Sequence, residues 1–240
     1  MSALLAAEGV TAGYGSVTVL RHVSLHLDKG ETIGLFGPNG HGKTTLLRCL
    51  SGLLRPATGR ITFDGGEITM RAPHEIVAAG LVHAPQGNVL FGDMMVGETL
   101  ELAAFTPRAR LQKDEALAEV FGLFPRLDDR RRQQAKTLSG GERQMLSIGA
   151  ALMCAPRVLM LDEPTLGLSP KLKAELSEAI ARIAETGTPM IVVEQDVEFL
   201  LRAADRLYFI EQGEVVRTID RAEMLDHAEI MELYFGVQGS

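Results

Sequence analysis

Cysteine, positive charge and long apolar runs are all scarce in this 240-residue sequence. The two cysteines, Cys49 and Cys154, are too few for a disulfide framework and suit a reducing compartment as small buried apolar residues. Lysine and arginine number 24 against 31 acidic residues, and the resulting net charge of -7 argues against a surface that coats nucleic acid. The N-terminus has neither the basic region nor the apolar core of a signal peptide, so we expect none.

The longest stretch without Asp, Glu, Lys or Arg has 17 residues, from Ile76 to Gly92. It contains proline, glycine, asparagine, glutamine and histidine, and is therefore a poor candidate for a membrane span. We expect that the protein does not cross a membrane by itself, although it could dock on a protein that does.

What the sequence does have is enough apolar residues for a sizeable core, at 46% of the chain. Strand and helix patterns alternate at both ends, while the middle, from about 91 to 154, is helical. These patterns predict an α/β core, residues 1–86 and 155–240, interrupted by a helical insertion. The predicted strands are Thr32–Phe36, Arg60–Phe63, Gly80–Ala84, Val158–Leu161, Met190–Val193, Arg206–Ile210 and Glu214–Ile219, and the predicted helices are Gly42–Leu54, Gly97–Ala104, Gln112–Phe124, Gly140–Met153 and Pro170–Glu185.

A glycine-rich phosphate-loop pattern, GxxxxGK[ST], stands between a predicted strand and a predicted helix. Glycines let successive backbone N–H groups converge on phosphate oxygens, and the following helix adds the positive end of its dipole. Lys43 is expected to reach the β- and γ-phosphates, and the Thr44 hydroxyl to ligate Mg²⁺. The loop comprises Gly37, Pro38, Asn39, Gly40, His41, Gly42, Lys43 and Thr44, and Thr45 follows it.

Two acidic residues end a second apolar strand, Val158–Leu161. Asp162 at the strand tip could hold Mg²⁺ through water, and Glu163 could polarise a water for attack on the γ-phosphate. An acidic pair at a strand end is weak evidence alone, because many such pairs cap the next helix. Its coupling to a phosphate loop favours the catalytic interpretation.

A Ser-Gly-Gly-Glu sequence opens the helix Gly140–Met153. Ser139 suits the N-cap, and Glu142 would complete a capping box. The paired glycines would also expose backbone N–H groups to an anion. A chain with one complete phosphate loop needs a second anion site only if that site serves a different nucleotide.

These segments, in this order, resemble the ATP-binding subunits of ABC transporters over nearly the whole chain, from Leu5 to about Gly236. The resemblance implies one ABC ATPase domain, residues 1–240. Its fold would be a P-loop NTPase with a RecA-like core, an N-terminal antiparallel β subdomain and an inserted α-helical subdomain. In that family two ATPase domains pair head to tail, and each signature binds the γ-phosphate of the ATP on the opposite phosphate loop. The signature corresponds here to Leu138, Ser139, Gly140, Gly141 and Glu142.

Further roles follow from the resemblance residue by residue. Tyr14 stands where the family places an aromatic that stacks on adenine. Gln86 matches the Q-loop glutamine, which contacts Mg²⁺ and the attacking water, and the segment near Gln86–Glu98 would transmit closure to the membrane subunit. Gln195 stands where the family usually has a switch histidine, and its amide can still donate to the γ-phosphate. Glu163 and Gln195 are thus the predicted catalytic residues.

Three places differ from the family pattern or stay without a role. Most relatives carry Asp where this chain has Ser169, at the loop that crosses the dimer seam. His41 occupies a position that is commonly small, and we assign it no catalytic role. The charged run from Arg126 to Lys136 is interpreted as a solvated face or connector.

Within the family, three short segments look most like those of the branched-chain amino acid importers: residues 13–15, 193–195 and 163–170. The resemblance implies ATP and Mg²⁺, a second ATPase subunit (the same chain or a paralogue), transmembrane permease subunits, indirectly a solute-binding protein, and no nucleic acid. It places the protein peripherally at the cytoplasmic face of the cell membrane. An importer of another small polar solute such as urea or an amide, an exporter ATPase and a non-transport soluble ABC ATPase remain alternatives.

Overall fold

The computed structural model describes residues 3–87 and 91–221. Its strands are β1 (Leu5–Tyr14), β2 (Val17–Leu27), β3 (Thr32–Phe36), β4 (Thr58–Phe63), β5 (Gly66–Glu67), β6 (Leu81–Ala84), β7 (Val158–Asp162), β8 (Met190–Val193), β9 (Arg206–Glu211) and β10 (Glu214–Asp220). Its α-helices are α1 (Lys43–Leu50), α2 (Pro73–Ala79), α3 (Val96–Ala103), α4 (Pro107–Leu111), α5 (Lys113–Leu123), α6 (Pro125–Asp129), α7 (Gly140–Met153), α8 (Pro170–Glu185) and α9 (Val197–Ala203). Two compact units divide the chain, one of Met1–Pro73 with Pro189–Ser240 and one of His74–Thr188.

The first unit contains an antiparallel sheet in the order β2-β1-β4-β5. The pairing of β1 with β2 is interrupted by three register shifts, and Gly9 within β1 has a φ of +59°. Such bulges break the strict alternation of inward and outward side chains. For this reason neither β1 nor β2 is evident from the apolar pattern, and only the family resemblance predicts an N-terminal antiparallel sheet.

The first unit also contains the strands that lead to the phosphate loop. β3 pairs in parallel with β8 on one side and with β9 on the other, and β10 pairs antiparallel with β9. Every residue of β3 and β8 is buried, as expected for strands covered on both faces. The rings of Phe36 and Phe209 meet at a centroid distance of 4.9 Å. The carboxyl ends of these parallel strands therefore lie at one edge of the sheet.

The second unit combines a parallel strand pair with helices. β6 pairs with β7 from Leu81 opposite Val158 to Ala84 opposite Leu161. α7 packs against α3, α5 and α6, and its buried residues include Leu146, Ile148 and Met153. The region between residues 91 and 154 is helical as predicted, with a single isolated β-bridge between Met95 and Gln134 among its described residues.

Each of the predicted strands and helices is present, with end shifts of one or two residues in most cases. The helix after the phosphate loop is shorter than predicted, since it ends at Leu50 rather than Leu54. Gly52, with a φ of +73°, lies in the turn that follows. Residues 88–90, part of the segment expected to transmit closure, lie outside the described residues. No helix within the described ranges combines the length and apolarity needed to cross a bilayer.

Candidate functional site

The phosphate loop connects the buried strand β3 to helix α1. Lys43 is 4% exposed, and its Nζ donates to the carbonyl oxygens of Gly37 at 2.7 Å and Pro38 at 2.9 Å. The ammonium thus holds the loop curled around itself. At Gly37 the φ is +142° and an added Cβ would lie 2.0 Å from the Ile210 carbonyl oxygen, so only glycine fits there.

The N-terminus of α1 is arranged to receive an anion. Gly42 is its N-cap, no side chain caps it, and its first turn has no acidic residue. Asn39 and Gly40 at the crest of the loop are exposed, while Thr44 is half-buried and Thr45 buried. First-turn N–H groups, the helix dipole and a buried ammonium together form a site for phosphate oxygens. This donor set fits the polyphosphate of a nucleotide.

Gln195 lies at the same edge of the first unit's sheet as the phosphate loop. It follows β8, whose Val193 is paired with Leu35 of β3, and it is half-buried in the bend before α9. Its backbone N–H donates to the Glu194 carboxylate at 3.1 Å. The parallel register therefore places Gln195 beside the end of β3, where the phosphate loop begins.

Tyr14 ends β1 at the turn into β2, and the residue is 44% exposed. Its hydroxyl accepts a hydrogen bond of 2.9 Å from Arg48 of helix α1. The turn is tight, because Gly13 has no room for a Cβ against the Val17 carbonyl oxygen at 1.9 Å. An exposed ring held by a cation at its rim is free to stack on a flat base.

His41, a member of the predicted phosphate loop, is half-buried and contacts the turn between β9 and β10. Its Nδ1 accepts from the Gln212 N–H at 3.1 Å, and its carbonyl accepts from the Gly213 N–H at 3.2 Å. The imidazole thus ties the phosphate loop to a hairpin far along the chain. These contacts give His41 a supporting position beside the loop.

In the second unit the acidic pair lies at the end of β7. Asp162 is 1% exposed at the strand tip, and Glu163 is half-buried with a φ of +48°. A glutamate in the left-handed region is strained, and such strain is concentrated at functional sites. The Gln86 side chain donates from Nε2 to Glu163 Oε2 at 2.9 Å. The parallel pairing of β6 and β7 thus brings Gln86 onto the predicted catalytic carboxylate.

A cavity of about 410 Å³ within the second unit is lined by Gln86, Glu163 and Gly140, together with Gln144 and the loop 166–168. Three sequence-predicted positions therefore share one concave surface. Such a surface, with few polar groups converging on it, is typical of ligand sites.

The signature forms the N-terminus of α7, and the predicted capping box is present. Ser139 Oγ accepts from the Glu142 N–H at 3.3 Å, and Glu142 Oε2 accepts from the Ser139 N–H at 2.9 Å. Leu138 is buried. The two glycines differ, because a Cβ on Gly141 would lie 2.6 Å from Leu172 of α8, whereas one on Gly140 would meet nothing within 4 Å. Gly141 serves packing, and Gly140 leaves the front of the helix open.

Ser169, where relatives carry Asp, is the N-cap of α8. Its side chain accepts from the Leu172 N–H at 3.5 Å, a long hydrogen bond, and Pro170 occupies the first helical position. Either Ser or Asp can cap a helix, so the substitution keeps the start of α8.

Two functional candidates are missed by sequence reasoning. Arg48, which holds Tyr14, lies on the exposed side of α1. Arg130, which contacts Glu142, belongs to the charged run interpreted as solvated. No local sequence pattern indicates either arginine, because Tyr14 and Glu142, their partners, are brought near them only by the tertiary fold.

The sequence is similar to those of ABC transporter ATP-binding proteins. A family model described as ABC transporter matches residues 20–166. The branched-chain amino acid transport ATP-binding protein BraG of Pseudomonas aeruginosa is 36% identical over 97% of the chain and 100% of its own length. The lipopolysaccharide export system ATP-binding protein LptB of Acidithiobacillus ferridurans is 32% identical over 99% of both chains.

Among solved structures, the ADP conformation of an ATP-binding cassette of an ABC transporter matches with a TM-score of 0.82 at 26% identity. It covers 98% of this chain and 100% of that one. A nucleotide-free cassette from an ABC transporter matches with a TM-score of 0.81 at 25% identity, covering 97% and 99%. The predicted fold class, a P-loop NTPase of the α/β type, is thereby confirmed.

Proposed function

Because this chain belongs to the ABC transporter family and is an ATPase of that family, we propose that it is the motor subunit of an importer for branched-chain amino acids. The observation that carries the ATPase mechanism is the Gln86–Glu163 contact of 2.9 Å beside the tip of a buried strand. Support for the solute comes from relatives such as BraG, whose name states branched-chain amino acid transport.

The chemistry is divided among four groups of this chain. Lys43 and the first turn of α1 bind the β- and γ-phosphates, and Tyr14 stacks on adenine. The Glu163 carboxylate accepts a proton from the attacking water, and Gln86 orients that carboxylate through its amide. The Gln195 amide donates to the γ-phosphate as negative charge develops there.

Mg²⁺ is assigned to Thr44, Gln86 and Asp162. Their hydroxyl, amide and carboxylate oxygens are the hard donors that this ion prefers, and the 1%-exposed Asp162 carboxylate at the strand tip suits a charged partner. When bound, the ion neutralises charge on the phosphates.

The signature acts on the nucleotide of a second subunit, either a copy of this chain or a paralogue. Ser139 and Gly140 are exposed, and nothing within 4 Å faces a Cβ on Gly140. ATP binding closes the pair and hydrolysis reopens it. Closure is transmitted through the segment near Gln86–Glu98 to transmembrane permease subunits, which places the protein peripherally on the cytoplasmic face of the membrane. A solute-binding protein takes part indirectly.

The test is ATPase activity in vesicles that contain the chain together with two candidate permease subunits. Activity should rise when a binding protein loaded with leucine, isoleucine or valine is added, and the Glu163→Gln variant should remain inactive. Stimulation by urea or an amide instead would favour the alternative importer. A complex insensitive to every loaded binding protein would contradict import.

Relatives such as LptB favour a second candidate, an exporter ATPase. The same vesicles distinguish the two directions, because an exporter moves its substrate away from the side that holds ATP. Genes for two permeases and a solute-binding protein next to this one would independently support import. A non-transport ABC ATPase would lack such neighbours and hydrolyse ATP without any permease.

A further inference from the structure

The basic segment of residues 126–136, which begins within α6 and ends just before the signature, is not simply a solvated face. Its side chains form ion pairs with acidic residues of three helices, α3, α7 and α8, and of the loop before α3. The pairs are Arg126–Glu175 at 3.1 Å, Arg130–Glu142 at 2.9 Å, Arg131–Glu101 at 3.4 Å and Lys136–Asp93 at 2.7 Å. In three of them both side chains are at least about a third exposed, but Glu142 is only 6% exposed. The Arg130–Glu142 pair is thus the one among these four with a buried anion.

A buried carboxylate is stable only if both of its oxygens have partners. Glu142 Oε2 accepts the Ser139 N–H at 2.9 Å, and Oε1 faces Arg130 Nε at 2.9 Å. Burial raises the pKa of the Glu142 carboxyl, but the hydrogen bonds with Ser139 and the charges of Arg130 and Arg126 outweigh it and lower the pKa overall. Arg130 therefore compensates the charge at the back of the signature.

The same carboxylate fixes the front of the signature. Because Glu142 closes the capping box, Ser139 Oγ uses a lone pair for the Glu142 N–H, and its hydroxyl proton remains to donate to an anion. Behind the helix start, Gly141 packs on Leu172. Loss of Arg130 would leave Oε1 of the buried Glu142 carboxylate without this cation.

Arg130 is itself attached to a fixed support. The chain after it pairs with residues 92–97 through backbone hydrogen bonds, each 2.9 Å long. In each of them a backbone N–H donates to a backbone carbonyl oxygen. The donor and acceptor residues are Gly97 and Arg131, Val96 and Gln133, Ala135 and Met94, and Lys136 and Gly92. The guanidinium is therefore presented by an ordered segment and not by a loose loop.

We propose that Arg130 is a positioning residue of the signature, whose ion pair with Glu142 holds the capping box that presents Ser139 and Gly140 to the nucleotide of a second subunit. This inference rests on the proposed head-to-tail pairing. It predicts a defect that appears in the paired state, because Arg130 belongs to the signature's support and not to the phosphate loop that binds ATP in a single chain.

The experiment measures ATP-driven dimerisation by size-exclusion chromatography in a Glu163→Gln parent, alongside equilibrium ATP binding to the single chain. Arg130→Ala should raise the protein concentration needed for half-dimerisation roughly tenfold, since a buried charge loses its partner. Binding of ATP to the single chain should stay at the parent value. Arg132→Ala, an exposed neighbour in the same segment, is the matched control and should behave as the parent.

Adding Glu142→Gln to Arg130→Ala should restore dimerisation, because a neutral amide can accept from the Ser139 N–H without a cation beside it. A purely structural defect elsewhere in the segment would not be rescued by this change. Parent-like dimerisation of Arg130→Ala, or a double variant as defective as the single one, would overturn the inference.

Amide hydrogen exchange of residues 139–143 in the isolated chain gives a readout that does not depend on pairing. Arg130→Ala should accelerate exchange there and leave the phosphate loop unchanged, and identical exchange in variant and parent would contradict the role of Arg130. A parent that remains monomeric with ATP would instead contradict self-pairing in the proposed function.

Discussion

The phosphate loop and the signature both place a helix N-terminus at a predicted phosphate, yet they bury opposite charges. Behind the loop lies the Lys43 ammonium, which is 4% exposed and donates to Gly37 and Pro38. Behind the signature lies the Glu142 carboxylate, 6% exposed and compensated by Arg130. One site carries its own cation, and the other turns an anion inward and neutralises it.

This difference separates two ways of binding phosphate. A buried ammonium attracts a polyphosphate whose charge has no other partner. The signature offers a hydroxyl proton and helix N–H groups, which are neutral donors. Such donors suit a phosphate whose charge is already compensated on another subunit. The comparison predicts that substitutions in the phosphate loop abolish ATP binding to the single chain. Substitutions in the signature should instead weaken the ATP-driven pairing of two chains.

The largest effect is expected from Lys43→Ala, which removes the cation of the loop. Affinity for ATP should fall about 100-fold or more, since charge-assisted hydrogen bonds to phosphate and the support of two carbonyls are lost together. Equilibrium binding measures this, with the exposed Lys29→Ala of the same unit as control. Near-normal affinity in Lys43→Ala would mean that ATP phosphates bind elsewhere.

Next in size is the effect of Glu163→Gln, which tests the proposed hydrolytic step. The amide cannot accept the proton of the attacking water, so turnover should fall about 100-fold or more while ATP binding persists. ATP without Mg²⁺ should hold two chains together, which size-exclusion chromatography detects. Turnover within a few-fold of the wild type would remove Glu163 from the catalytic role.

Gln195→Ala should reduce turnover about 100-fold by removing a donor that acts as charge develops on the γ-phosphate. The glutamine does not titrate near neutrality, so Gln195→His should introduce a new inflection between about pH 6 and 8 in the rate profile. Both rates are measured in the complex with the permeases. Wild-type turnover of Gln195→Ala there would reduce the residue to a polar group after β8.

Tyr14→Ala tests the proposed contact of the tyrosine ring with the adenine base. Loss of a stacked aromatic should weaken ATP binding by about 1–3 kcal/mol, by analogy with bases stacked on aromatic side chains. Tyr14→Phe keeps the ring and loses only the exposed hydrogen bond from Arg48, so its affinity for ATP should be nearly unchanged. Equal large losses in both variants would show that the hydroxyl, and not stacking, holds the base.

Features with a local cause could be predicted from the sequence. The capping box of α7 needs only Ser139 and Glu142 at their spacing, and the phosphate loop needs only its glycines, Lys43 and the flanking strand and helix. Such patterns are encoded within a few consecutive residues, and local propensities agree with the fold there.

Features with a distant cause could not be predicted. The bulges of β1 disrupt the alternation that identifies a strand, and the imidazole of His41 meets the Gln212 N–H at a separation of 171 positions. The ion pair of Glu142 with Arg130 could not be predicted either, because the chain after Arg130 is positioned by backbone hydrogen bonds with residues 92–97. A charged run can be assigned to solvent from its composition, but its ion pairs depend on tertiary structure.

The smallest expected effect concerns the acid sensitivity of the buried anion itself. Because the folded state lowers the pKa of the Glu142 carboxyl below its ordinary value of 4.5, the carboxylate stabilises the fold above that value. This contribution is lost as the pH falls below about 4.5 and through the lower pKa of the folded state. Glu142→Gln has no proton to gain, so its free energy of unfolding should decline less between about pH 5 and 3 than that of the wild type. Urea titrations at several pH values measure the slopes, and Glu178→Gln on the exposed side of α8 is the matched control. Identical slopes in the wild type and Glu142→Gln would mean that the Glu142 carboxylate adds no acid-sensitive stability to the fold. The difference between this buried anion and the buried Lys43 cation of the phosphate loop would then be one of geometry alone.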